Sequence, residues 1–200
     1  IPRVTVPKQV KRPLSLVTPI NIANWTLAGF YLSLVPSLVA STTGSGAPLT
    51  GGAVVTALMV SGAIAVYLRR SKTASTNLAF GVSAKTLGIL TVVAGVHLAN
   101  VPLLLVGTIF TGVGFGTNFL GSIGTIMPLA KPDERAGLLS AFYVQSYLAF
   151  SLPAILAGFL AKSAGYALTT DIYATAILLL MGVGVMSIRA DRRKVAGSAA

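Results

Sequence analysis

GGAVVTALMVSGAIAVYL (Gly51–Leu68), RRSK (Arg69–Lys72), AFGVSAKTLGILTVVAGVHL (Ala79–Leu98) and ANV (Ala99–Val101) decide how this chain folds. A bilayer core about 30 Å thick is crossed by a helix of about 20 apolar residues, and both runs approach that length. The first run ends in a dense basic break; the second ends in a break with no charge at all. The same alternation extends outward along the chain. Six apolar runs can be read, roughly Ile20–Ala40, Gly51–Leu68, Ala79–Leu98, Pro102–Pro128, Ala136–Lys162 and Thr169–Ile188. Basic residues precede the first run (Arg3, Lys8, Lys11, Arg12) and follow the second (Arg69, Arg70, Lys72), fourth (Lys131, Arg135) and sixth (Arg189, Arg192, Arg193, Lys194). Of the 15 basic residues, only Lys85 and Lys162 fall outside these groups. Positive charge is retained on the cytoplasmic side of membranes, so this pattern predicts six crossings with both ends in the cytoplasm.

Composition agrees. The chain is 54% hydrophobic and only 10% charged, with mean hydropathy +0.83. A soluble helical protein would be left without a polar face for water. The net charge of +11 is dispersed over the breaks and lacks aromatic interleaving, so topology and anionic lipid explain it better than nucleic acid. With no cysteine, disulfides and thiolate metal sites are excluded.

The lead-in, Ile1 to about Pro19, holds Pro2, Pro7, Pro13 and Pro19 and reads as an extended cytoplasmic linker. With neither an initiator Met nor an apolar signal region, it suggests the interior of a longer protein. Pro36 is expected to kink the first helix, and Ser41–Thr50 to form a polar outer loop. Lys85, about two turns inside the third run, is expected to snorkel to the headgroups, the alternative being a functional cation. His97 reads as an interfacial residue rather than a proton relay. Residues 189–200 form a basic cytoplasmic tail.

Nothing in the chain has the parts of an enzyme. Of its four acidic residues, Asp133 and Glu134 lie in a turn, Asp171 at the outer edge of the sixth run and Asp191 in the tail, and one histidine cannot assemble a metal site, so no catalytic residue, metal or cofactor is expected. The fourth run is more informative. Gly112 and Gly116 have the spacing that lets membrane helices approach closely. Gly107, Thr111, Gly114, Asn118, Ser122 and Thr125 share another face. A polar stripe in mid-membrane meets either another helix or a water-filled cavity, and the stripe alone leaves both open. The first run offers Asn21, Asn24 and Tyr31 on one face; the fifth offers Ser140, Tyr143 and Tyr147. Trp25 suits the membrane interface. The turn Lys131–Gly137 places Asp133 or Glu134 at the start of the fifth helix, beside Arg135.

WTLAGFYLSLVPSLVA (Trp25–Ala40), GVGFGTNFLG (Gly112–Gly121) and above all PLAKPDERAGLLSAFYVQSYLAFSLPAILAG (Pro128–Gly158) resemble the C-terminal six-helix half of a bacterial major facilitator superfamily transporter. The resemblance implies an all-α, polytopic half bundle in a bacterial inner membrane. It also implies secondary transport of a small organic solute by alternating access, with a missing N-terminal half as partner and a proton or another ion for coupling. On that footing the first and fourth runs line a central cavity. Asn24, Tyr31, Thr111, Asn118, Ser122, Tyr143 and Tyr147 then become cavity candidates, and Pro36, Gly112, Gly116, Asp133, Arg135, Pro153 and Gly158 gating or packing candidates. The Arg69–Lys72 break lacks the glycine and acid that the family often carries in the equivalent loop. Proton coupling would need acidic residues outside this chain. The alternative is a non-transporting membrane interaction protein, or a six-helix unit that works only when paired with another copy.

Overall fold

A computed structural model describes residues 4–43 and 48–197. Regular structure among the described residues is entirely helical: α1 (Lys8–Ser33), α2 (Val35–Thr43), α3 (Pro48–Arg69), α4 (Ala74–His97), α5 (Val101–Ile126) and α6 (Arg135–Gly197), with a short 3-10 turn at Met127–Leu129. Four helical stretches are long and apolar enough to cross a membrane by length and composition: Gly51–Arg69, Ala74–His97, Val101–Leu129 and Arg135–Lys194. They point to a membrane protein. Leucine, isoleucine and phenylalanine side chains such as Ile64, Leu90, Phe110, Leu156 and Phe159 stand exposed on the outside of the bundle, as lipid contact requires.

α6 is really two limbs. Gly165 has φ 81°, a backbone region that costs other residues strain, and the helical run breaks there. Twenty residues of straight helix would span about 30 Å. Tyr173 nevertheless donates to the carbonyl of Pro153, so the limbs fold back on each other. The break expected over residues 163–170 contracts to this one glycine. α1 runs between the limbs. Asn21 bonds Ser146 and Thr26 bonds the Ala149 carbonyl along the first limb, while Arg12 meets Asp191 and Phe30 stacks on Tyr173 along the second. α1 is thus parallel to the first limb and antiparallel to the second.

The lead-in differs from its extended expectation, because α1 begins at Lys8 and carries Pro13 and Pro19 within it. An interior proline costs about 3 kcal/mol of helix stability. Against this, Val10, Val17 and Ile20 recur at helical spacing and are fully buried with Ile126, Leu138 and Phe142. Burying each such side chain contributes about 1.5–3 kcal/mol, and the three together are comparable with the cost of the two prolines. At the other end α1 stops at Leu34, and Pro36 falls in the first turn of α2, where its missing N–H is not needed. Of the expected outer loop over residues 41–50, positions 41–43 and 48–50 are helical, and 44–47 lie outside the described residues. Residues 189–197 of the tail continue α6.

α4 and α5 form the tightest pair, and glycine is the reason. Gly81, Gly88 and Gly95 on α4 and Gly107, Gly114 and Gly121 on α5 both repeat every seven residues, the period of a left-handed helix crossing. Each glycine admits atoms of the facing helix: Gly88 takes the backbone of Thr111 and Gly107, Gly95 takes Leu104, and Gly107 takes Val92. The pairing is antiparallel, and Asn100 caps α5 at the turn by accepting from the Leu103 N–H at 2.9 Å. A second face of α5 approaches α3, where Gly112 and Gly116 lie against Leu58, Ser61 and Gly62.

Candidate functional site

Three helices bring polar side chains together in the apolar interior. Asn24 on α1 donates through Nδ2 to the Phe115 carbonyl of α5 at 3.3 Å. Its Oδ1 accepts from Lys85 Nζ of α4. Lys85 is fully buried, and its ammonium lies 5.9 Å from the centre of the Phe115 ring. The snorkelling expected of Lys85 is therefore overturned. Its Cβ sits where a side chain at Gly114 would be, 2.6 Å from that position, so the residue faces α5 and not lipid. The legible signal was the glycine repeat: Lys85 is four residues after Gly81 and shares its face.

The interior also holds polar atoms without partners. Both amide atoms of Asn118 and the hydroxyl of Ser122 are buried and unbonded, as are Asn21 Oδ1 and Trp25 Nε1. An unsatisfied buried polar group costs about 1–3 kcal/mol, so a cluster of them in one bundle calls for an explanation. Asn118 enters the space left by Gly81, one helical turn from Lys85.

Outward from this cluster is an aromatic layer. Trp25 contacts Phe115 (ring centres 6.4 Å apart), Tyr143 (6.2 Å) and Tyr147 (5.6 Å). The two tyrosines stack on each other, and Tyr147 is 60% exposed. A continuous series of ring contacts thus leads from the outside of the bundle at Tyr147, through Trp25 and Phe115, to the Lys85 ammonium. Trp25, which the sequence suggested as an interfacial residue, is the hub of this layer.

The remaining candidates divide. Tyr31 is buried and its hydroxyl bonds Thr108 Oγ1 at 3.1 Å; with Thr111, whose hydroxyl returns to the Gly107 carbonyl at 2.7 Å, it borders an apolar cavity of about 20 Å³. That space holds about one water. The polar stripe of α5 is packed against α4 through Gly107, Gly114 and Gly121, with Thr111, Asn118 and Ser122 buried. In the turn before α6 Glu134, not Asp133, makes the contacts, accepting from Gln9 Nε2 at 2.8 Å and the Lys131 N–H at 3.0 Å. Arg135 Nε donates to the Ala130 carbonyl at 3.4 Å. Pro153 provides the acceptor for Tyr173, but a side chain at Gly158 would meet nothing within 4 Å, so Gly158 supports no close approach. That role belongs to Gly29, which lies against the Phe150 carbonyl. Phe115 and Thr108 are the site residues that sequence reasoning left out, while Lys85 was named there with a functional cation as the alternative to snorkelling.

Two ion pairs stand at opposite ends of the second α6 limb: His97 with Asp171 at 2.9 Å, and Arg12 with Asp191 at 2.6 Å. Twenty residues of helix between the two aspartates span about 30 Å, the thickness of a bilayer core. The turn between α3 and α4 is closed by Asn77, which accepts from Arg69 Nε at 3.1 Å and donates to the Arg69 and Lys72 carbonyls.

Comparison of the chain with protein-family models and with curated proteins finds no match.

Proposed function

We propose that this chain is one half of a secondary transporter of the major facilitator type, moving a small organic solute by alternating access. In this reading α1, α3, α4, α5 and the two limbs of α6 make six crossings of an inner membrane, both ends cytoplasmic. The helix directions support it: α1 is parallel to the first limb of α6 and antiparallel to the second, and α4 is antiparallel to α5, as successive crossings require. The pairing of Arg12 with Asp191 further supports a common side for both ends.

The observation that carries the reading is the buried cluster of Asn24, Lys85, Asn118 and Ser122, with unpartnered polar atoms, beneath aromatic rings that reach the outside of the bundle. A purely structural bundle gains nothing from unsatisfied amides in a medium without water. A site that exchanges its partners with a solute does, because an apolar cleft with a few convergent polar groups is what small-molecule recognition uses. The solute would dock on Trp25, Tyr143 and Tyr147 against the missing half and take its polar contacts from Asn24 and its neighbours.

The test is solute flux in proteoliposomes bearing the full-length protein. Tyr147→Ala alters a largely exposed ring and should leave insertion and unfolding unchanged while lowering flux at least fivefold. Trp25→Ala should lower it further. Flux equal to the parent in both variants would remove the aromatic face from the pathway, and absence of flux across a panel of drugs and metabolites would refute transport.

A further inference from the structure

The charge at the centre of the site narrows its ligand. Lys85 carries three donors and has one side-chain acceptor, Asn24, with only an aromatic ring as its other neighbour of note. None of the chain's four acidic residues is paired with Lys85. Glu134 is engaged by Gln9 and Lys131, Asp171 by His97, and Asp191 by Arg12, while Asp133 is exposed in its turn. A buried cation normally has a paired anion. Asn118, one turn along α5 from the glycine that houses Lys85, adds an amide whose N–H groups have no acceptor. An ammonium lacking a carboxylate and an amide donor lacking an acceptor both point to a missing acceptor of negative charge.

We propose that Lys85, Asn24 and Asn118 form the anion-binding end of the solute site and that the solute is a small organic carboxylate with an aromatic or apolar body. The carboxylate takes its charge-assisted bond from Lys85 and a second from the Asn118 amide, while the body lies on Trp25 and Tyr143. Phe115 contacts Trp25 and lies 5.9 Å from the ammonium, which links the aromatic layer to Lys85. Aromatic clusters by themselves favour cations. Here a carboxylate in contact with Lys85 holds its amine protonated, an ion pairing that a cationic solute cannot offer.

This assignment rests on the transport reading only for the ligand being cargo, and binding can be measured apart from flux. The full-length protein in nanodiscs is titrated with benzoate, benzamide and benzylamine while the emission of Trp25, the single tryptophan of this chain, is followed, with Trp25→Phe protein as the blank. Benzoate should bind at least tenfold more tightly than benzamide, and benzylamine most weakly. Lys85→Met should abolish the tenfold preference of benzoate over benzamide; its thermal unfolding reports that it is folded. Should that variant fail to fold, the selectivity of the parent still decides. Equal binding of benzoate and benzamide, preference for benzylamine, absence of benzoate binding, or a preference that survives Lys85→Met would each overturn the proposal. Benzoate binding without flux in vesicles would sink transport and keep the anion site; flux of neutral solutes without benzoate preference would do the reverse.

Discussion

Gly88→Ala should destabilise the protein although alanine is the better helix former. A Cβ at residue 88 would lie 2.8 Å from the Gly107 carbonyl oxygen and nearer still to the backbone nitrogen of Thr111. Ordinary contact begins at 3.4 Å, so α4 must withdraw from α5 by about 1 Å to clear the Thr111 nitrogen. Both obstacles belong to the α5 backbone and cannot rotate aside. A gap of 0.5–1 Å forfeits roughly a quarter to a half of each dispersion contact it opens, and overpacking of this kind costs about 3 kcal/mol. Alanine in a helix returns about 1 kcal/mol, leaving a net loss of about 2 kcal/mol. Gly158→Ala is the internal control. A Cβ there meets nothing within 4 Å, so only the helix gain of about 1 kcal/mol remains. Reversible unfolding in mixed micelles, followed by far-UV circular dichroism, should move in opposite directions for the two variants. If Gly88→Ala proves as stable as the parent, close approach of α4 and α5 is not what the glycine repeat provides.

Gly165→Ala should destabilise by about 1–2 kcal/mol even though its Cβ also meets open space, because φ 81° strains any other residue; the same unfolding assay distinguishes it from Gly158→Ala. Tyr31→Phe removes the bond to Thr108 without opening a cavity and should cost about 1 kcal/mol, whereas Tyr31→Ala would cost about 3–5 kcal/mol and is a poor probe of function. Arg12→Ala breaks a pair whose arginine is largely exposed, so its cost should stay below about 1 kcal/mol and vanish in 1 M salt. A larger, salt-independent loss would show that this pair holds α1 to α6 in a way exposure does not suggest.

Much of the helical organisation could be read from the chain. The breaks at Arg69–Lys72 and Ala99–Val101 are where α3, α4 and α5 end and begin, because arginine, lysine and a capping asparagine interrupt long apolar runs. The proline-rich lead-in misled for a definite reason: Val10 and Val17 are buried in a cluster with Leu78, Ile126, Leu138 and Phe142, distant along the chain, and local propensity cannot register them. The glycines were visible, but their partners were not. Gly112 and Gly158 look alike in a helical sequence; one touches another backbone and the other touches nothing.

The polar stripe on α5 shows the same division at the site. Its three- and four-residue spacing determined that Thr111, Asn118 and Gly114 share a face. What that face meets depends on a second element, and only the tertiary structure sets the glycines of α4 opposite the glycines of α5 and leaves Asn118 and Ser122 buried without partners. Lys85 went the same way. Sequence placed one lysine in an apolar run, a costly position with two outcomes, and hydropathy counts that cost without direction. Its direction follows from which face of α4 meets α5, so the contact with Asn24 and the isolation of its charge exist only in the assembled bundle. Periodicity and charge belong to a single helix and are written along it; a binding site is made by several helices at once.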